Sequence, residues 1–86
     1  MDFKLVFAAS ADKDLSKLPK KISQRIFKKC QKTKSNPMRY WEKVTDGEEY
    51  KLRVGDYRAI ADIYFEERKI EVTKVGLRET VYQKLR

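Results

Sequence analysis

The sequence predicts an α+β domain: an N-terminal strand, a two-helix hairpin, then an antiparallel three-stranded meander that completes a four-stranded twisted sheet with one open face. Three observations carry this prediction. Apolar residues fall at alternate positions near the start of the chain (Phe3, Leu5, Phe7) and again in its second half (Tyr50, Leu52, Val54), the period of a strand with one buried face. Between these runs Ile22, Ile26 and Cys30 recur at helical spacing, which gives one apolar stripe to a helix. Tight-turn signals at Gly55-Asp56 and near Glu67-Arg68 then divide the second half into consecutive strands, and strands joined in this way lie antiparallel.

In chain order, residues 2 to 8 read as the first strand. Ser10 can cap the helix that follows, and Asp12 and Asp14 suit the positive end of its dipole. Pro19 is unfavourable inside a helix and comfortable at the start of one, so the helical region breaks at Leu18 and restarts at Pro19. Leu15 and Leu18 edge the first helix; Ile22, Ile26 and Cys30, with Phe27 beside them, line the second. Residues 33 to 46 contain Asn36-Pro37 and, at their end, Asp46-Gly47, and read as a connection in which Tyr40 and Trp41 cover one end of the core. Strands follow at about 48 to 54, 57 to 66 and 69 to 76. The helical pair covers one side of the sheet and leaves the other open.

The hairpin around Gly55-Asp56 is the most informative stretch. A two-residue turn there pairs Val54 with Tyr57, Arg53 with Arg58 and Lys51 with Ile60. Alternation then sends Tyr50, Leu52, Val54, Tyr57, Ala59, Ala61 and Ile63 to the core side, and Lys51, Arg53 and Arg58 to the other. Like charges directly across a ladder destabilise it. Stability therefore does not account for the arrangement, whereas an anionic ligand would.

Charge agrees with that reading. The chain has 21 Lys and Arg against 13 Asp and Glu in 86 residues, a formal charge of +8, which favours nucleic acid or another polyanion as partner. Eight basic residues and no acid lie from Lys17 to Lys34: Lys17, Lys20, Lys21, Arg25, Lys28, Lys29, Lys32 and Lys34. An ordinary solvated helix mixes signs for i, i+4 pairing, so this run, Lys17 to Lys32 above all, is expected to face a polyanion.

With no histidine and one cysteine, neither a His/Cys zinc site nor a Ser-His-Asp triad can be assembled. Chemistry must run on Lys, Arg, Tyr and carboxylates, and no metal or cofactor is expected. Cys30 reads as a small buried residue. A lone cysteine excludes an internal disulfide, and the early apolar run ends at Ala9, too short for a signal segment. A cytoplasmic location and a single domain over residues 1–86 are expected.

The order of a first strand ending in Phe7-Ala8, then Leu15-Ser16-Lys17-Leu18-Pro19, Asn36-Pro37, the run from Tyr50 to Arg58, and Val75-Gly76-Leu77-Arg78 followed by Tyr82 resembles the RelE branch of the RelE/ParE toxin superfamily. The resemblance covers nearly the whole chain. It implies a toxin of a type II toxin–antitoxin system, a metal-independent endoribonuclease that cuts messenger RNA in the ribosomal A site and is silenced by a RelB-like antitoxin. That partner is expected to be acidic or amphipathic and to fold on binding.

Carried over residue by residue, the catalytic positions would be Lys51, Arg53, Arg58, Arg78 and Tyr82. Attack by a ribose 2′-hydroxyl on the adjacent phosphate needs a base, cations for the growing phosphate charge, and help for the leaving 5′-oxygen. Lys51 is the candidate base, its pKa expected to fall beside Arg53 and Arg58; Asp62 and Glu79 are second choices. Arg53 and Arg58 would hold the phosphate, Arg78 would stabilise the leaving oxygen, and Tyr82 would stack on a base.

This chain departs from the family in three ways. Bacterial relatives often carry a second lysine where it has Arg53. Strict alternation sends Arg78 to the core side, so a bulge or break near Gly76 is required. With four residues after Tyr82, no well-formed C-terminal helix is expected. The alternatives are a non-catalytic, ParE-like inhibitor of DNA gyrase and a plain RNA-binding domain.

Overall fold

The computed structural model of the chain describes residues 2–45 and 47–78. Its elements, in order, are β1 (Lys4–Phe7), α1 (Ala9–Ser16), α2 (Lys20–Lys32), a 3-10 turn (Thr33–Ser35), α3 (Pro37–Tyr40), β2 (Glu42–Lys43), β3 (Tyr50–Val54), β4 (Tyr57–Tyr64) and β5 (Lys69–Leu77). The expected α+β architecture is present. The sheet has five strands rather than four, in the order β1-β5-β4-β3-β2, because the two-residue β2 pairs with Lys51 and Tyr50 inside the stretch read as a connection. Two residues carry too little periodicity to be seen in sequence.

β1 lies parallel to β5, and β3, β4 and β5 form the antiparallel meander. The predicted hairpin register holds residue for residue, with Arg53 opposite Arg58 and Lys51 opposite Ile60. Gly55 has φ of 61° and Asp56 is not among the positive-φ residues, the pattern of a type II′ turn, whose first central position favours glycine. The β4–β5 connection is longer than expected: Tyr64 pairs with Lys69, which leaves a four-residue loop in which Arg68 takes φ of 52°.

Helices cover one face of the sheet. Ile26 and Cys30 from α2 and Ala11 from α1 are buried against Leu52, Val54, Ala59, Ala61, Ile70, Val72 and Val75. Trp41 closes one end, as expected; its indole N–H donates to Thr33 Oγ1 at 2.9 Å, and the Thr33 hydroxyl donates to the Cys30 carbonyl at 2.7 Å. Both buried polar groups are thus satisfied. Pro19 stands at the N-cap of α2, where the chain breaks as predicted.

Ser10 does not cap α1. It lies inside the helix and its hydroxyl donates to the Thr73 carbonyl at 2.7 Å, while Asp14 Oδ2 accepts the Val75 N–H at 3.0 Å. The reason is topological. β1 pairs with β5 only as far as Val72, so the next turn of β5 exposes an unpaired edge, and two side chains one turn apart on α1 satisfy it. No helix among the described residues is long and apolar enough to cross a membrane.

Candidate phosphate-binding face

On β5 strict alternation breaks between the pairs Ala61–Val72 and Ile60–Lys74, where a register shift leaves Thr73 as an extra residue. This bulge reverses the facing of everything after it. Ile70 and Val72 are buried in the core before it, Val75 after it, so Lys74 and Gly76 turn to the open face. The break required to bring Arg78 outward exists, but three residues earlier than Gly76. The Arg78 N–H then donates to the Asp56 carbonyl at 3.3 Å, which anchors Arg78 beside the Gly55-Asp56 turn.

Two rows of the open face result. Arg53, Arg58 and Gly76 are opposed across β3, β4 and β5, and Lys51, Ile60 and Lys74 form the adjoining row. Arg58 is 8 % exposed and Ile60 fully buried, although both lie on the face away from the helices. Burial leaves the Arg58 side chain few rotamers. Asp62, the second-choice base, lies on this face two residues along β4 from Ile60 and opposite Glu71. Tyr82 and Glu79 lie outside the described residues, as does any helix that would follow Arg78.

Lys74 is the cation that sequence reasoning missed. Its signal was the spacing Val72-Thr73-Lys74-Val75, two polar residues between apolar ones where a regular strand has one. Such a step marks a bulge, and it would have placed Lys74 with Lys51.

Arg53 does more than share the open face. β2 pairs only with Tyr50 and Lys51, so the far end of β3 is an edge. There Arg53 lines a cavity of about 270 Å3 with Val54, Gly55 and four cations of α2: Arg25, Lys28, Lys29 and Lys32. Arg53 Nε donates to the Gly55 carbonyl at 3.4 Å. A Cβ built on Gly55 would meet the Arg25 guanidinium at 3.4 Å, so Arg25 packs directly on the turn. The predicted basic run therefore divides: Arg25, Lys28, Lys29 and Lys32 meet the hairpin, whereas Lys17, Lys20 and Lys21 do not line this cavity. Lys29 also sits over the Tyr40 ring at 5.9 Å.

A shallower apolar groove lies on the other flank of α2, bounded by Leu15, Ser23, Gln24, Phe27 and Lys28. Phe27 is 45 % exposed and stacks on Phe7 with ring centroids 5.7 Å apart. Among the described residues, no three His, Cys, Asp or Glu side chains are grouped to hold a metal ion.

A family model described as the ParE toxin of the type II toxin–antitoxin system parDE matches residues 5–82. Among solved structures, a mutant Escherichia coli toxin RelE in the free state is 27 % identical, with a TM-score of 0.78 over 96 % of this chain and 93 % of that one. The RelB–RelE antitoxin–toxin complex from Methanococcus jannaschii gives 26 % identity and a TM-score of 0.70 over 94 % and 99 %. The toxin–antitoxin complex RelBE2 from Mycobacterium tuberculosis gives a TM-score of 0.85 at 22 % identity over 91 % and 100 %, a likeness of fold. No curated protein matches the chain.

Proposed function

The chain belongs to the ParE toxin family of type II toxin–antitoxin systems, on the RelE branch of the RelE/ParE superfamily, and from that membership we propose that it is an endoribonuclease cutting messenger RNA in the ribosomal A site. The observation that supports this reading best is the ladder pair of Arg53 and Arg58, with Lys51 in the adjoining row and Arg78 tied to the turn between them. Three cations of β3 and β4 on one face, with Arg78 held beside the turn that joins those strands, suit a phosphodiester.

In the proposed reaction Lys51 takes the proton from a ribose 2′-hydroxyl as that oxygen attacks the adjacent phosphorus. Arg53 and Arg58 hold the non-bridging oxygens of the pentacovalent phosphate, whose charge grows toward the transition state. The bond to the 5′-oxygen breaks, leaving a 2′,3′-cyclic phosphate, and the 5′-oxygen takes a proton from solvent water, while protonated Lys51 later returns its proton to solvent. Arg78 stabilises charge on that oxygen, since a guanidinium holds its own protons too firmly to be an easy acid. Tyr82 is assigned to base stacking.

Primer extension on translated message tests the reading. The wild type is expected to produce breaks, and Arg58→Ala to lower the rate about 100-fold, the usual effect of removing one preorganised donor. An intact transcript together with inhibited gyrase supercoiling would select the gyrase alternative, which the family's ParE description makes the one to check. An unchanged pH–rate profile in Lys51→Arg would move the base role to Asp62.

The partner follows from the same membership. The solved RelE relatives include complexes with RelB antitoxins, and we assign this chain a RelB-like antitoxin as well. The groove at Phe27, flanked by Lys28 and the cations of α2, suits a segment that is apolar on one side and acidic on the other.

A further inference from the structure

The cavity between α2 and the β3–β4 turn is a place where charge has been concentrated against stability. Arg25, Lys28, Lys29 and Lys32 occupy one face of α2 at i, i+3, i+4 and i+7, and Arg53 approaches them from β3. Like charges at these spacings repel, and the stretch from Lys17 to Lys34 contains no acid to relieve them. At about 270 Å3 the space is too small for a helix and of a size for one phosphate group with part of its sugar.

We propose that this cavity binds a backbone phosphate of RNA, separate from the phosphate that reacts, with Arg53 as the residue shared between the two. The identity of the polyanion as RNA rests on the proposed function; the cavity's anion-binding character rests on its own geometry. Arg53 lies opposite Arg58 in the ladder and also lines the cavity, so a strand entering between α2 and the turn is led onto the open face. Arg25, packed on Gly55, holds the turn that carries both surfaces. Recognition here is independent of base identity, because the lining offers charge and no aromatic ring on which a base could stack.

The test is binding of a short single-stranded RNA methylated at every 2′ oxygen, which cannot supply the attacking hydroxyl and so separates binding from cleavage. Affinity is followed by fluorescence anisotropy between about 50 and 200 mM salt, where each phosphate neutralised on a single strand contributes about 0.7 to the log–log slope. The triple variant Arg25→Gln/Lys28→Gln/Lys32→Gln is expected to bind more weakly, with a slope shallower by about 0.7, the contribution of the one phosphate held there. Lys4→Gln/Lys13→Gln/Arg39→Gln removes the same charge from exposed positions outside the cavity and should keep the wild-type slope. If Arg25→Gln loosens the turn, as a thermal melt would reveal, Lys28→Gln/Lys32→Gln retains the test with a loss of up to about 0.7.

Equal losses in the two triple variants, or none in the first, would overturn the proposal. So would a wild type that ignores the RNA but binds a polyglutamate peptide through these residues, since the cavity would then be a protein-docking site. Binding that depends on the cavity in a protein that never cuts translated message would sink the nuclease reading alone. Cutting with a slope indifferent to these cations would sink the cavity alone.

Discussion

Lys74 shows how much one side chain's facing can decide. Without the extra residue at Thr73 it would point into the core and Val75 outward; with it, Val75 is buried and Lys74 is ranked across β4 from Lys51. Replacing Lys74 by Ala is expected to slow message cleavage about tenfold, less than Arg58→Ala, because an ammonium is a point charge and not a preorganised fork. A rate equal to wild type would show that the substrate passes on the Arg53 side only. Cys30 behaves oppositely, as a group the fold silences. Burial pushes its thiol from 9.0 up to about 12. The unfolded chain ionises first, so this residue's contribution to stability is intact below about 9 and is lost as the pH rises toward about 12. The difference in denaturation midpoint between wild type and Cys30→Ala should shrink over that range, and thiol reagents at neutral pH should label Cys30 only after unfolding. The register around Arg53 and Arg58 was legible because Gly55-Asp56 is a strong local turn signal; the burial of Arg58 was not, since burial depends on which segments cover a face.

Among the elements, α1 does work that its own sequence does not announce. Ser10 and Asp14 looked like residues for a helix start, and they instead finish the edge of β5 by hydrogen-bonding to Thr73 and Val75. Asp14→Ala leaves the Val75 N–H without that acceptor and is expected to cost roughly 1–3 kcal/mol by chemical denaturation. Fast hydrogen exchange at Val75 should accompany it, whereas a loss spread evenly over the sheet would argue against the edge role. The β3–β4 turn offers the matching check. Gly55→Ala places a side chain at φ of 61° and should destabilise by roughly 1–2 kcal/mol. α2 was the easiest element to read, because Ile22, Ile26 and Cys30 mark its buried face and leave every cation on the others. β2 was the hardest, being formed only because β3 lay beside it.

For the whole molecule, a formal charge of +8 predicts that the proposed association with RNA, or with an acidic antitoxin, weakens as salt is raised. Co-expression with an acidic RelB-like protein is expected to relieve growth arrest and to protect the Phe27 groove from solvent in hydrogen exchange; relief without protection there would move the contact to another surface. By itself the sequence determined the class of fold, the helix break at Pro19, the hairpin register and the exclusion of a His/Cys metal site or a His-based triad. All of these depend on local periodicity, turn chemistry or residue inventory, which are written along the chain. Only the tertiary structure decided that β1 runs parallel to β5, that a bulge at Thr73 turns Lys74 to the open face, and that half of the basic run closes a cavity with Arg53 while the rest stays apart. Those outcomes depend on which distant segments become neighbours, and a one-residue slip between paired strands, invisible in either strand alone, reverses every side chain beyond it.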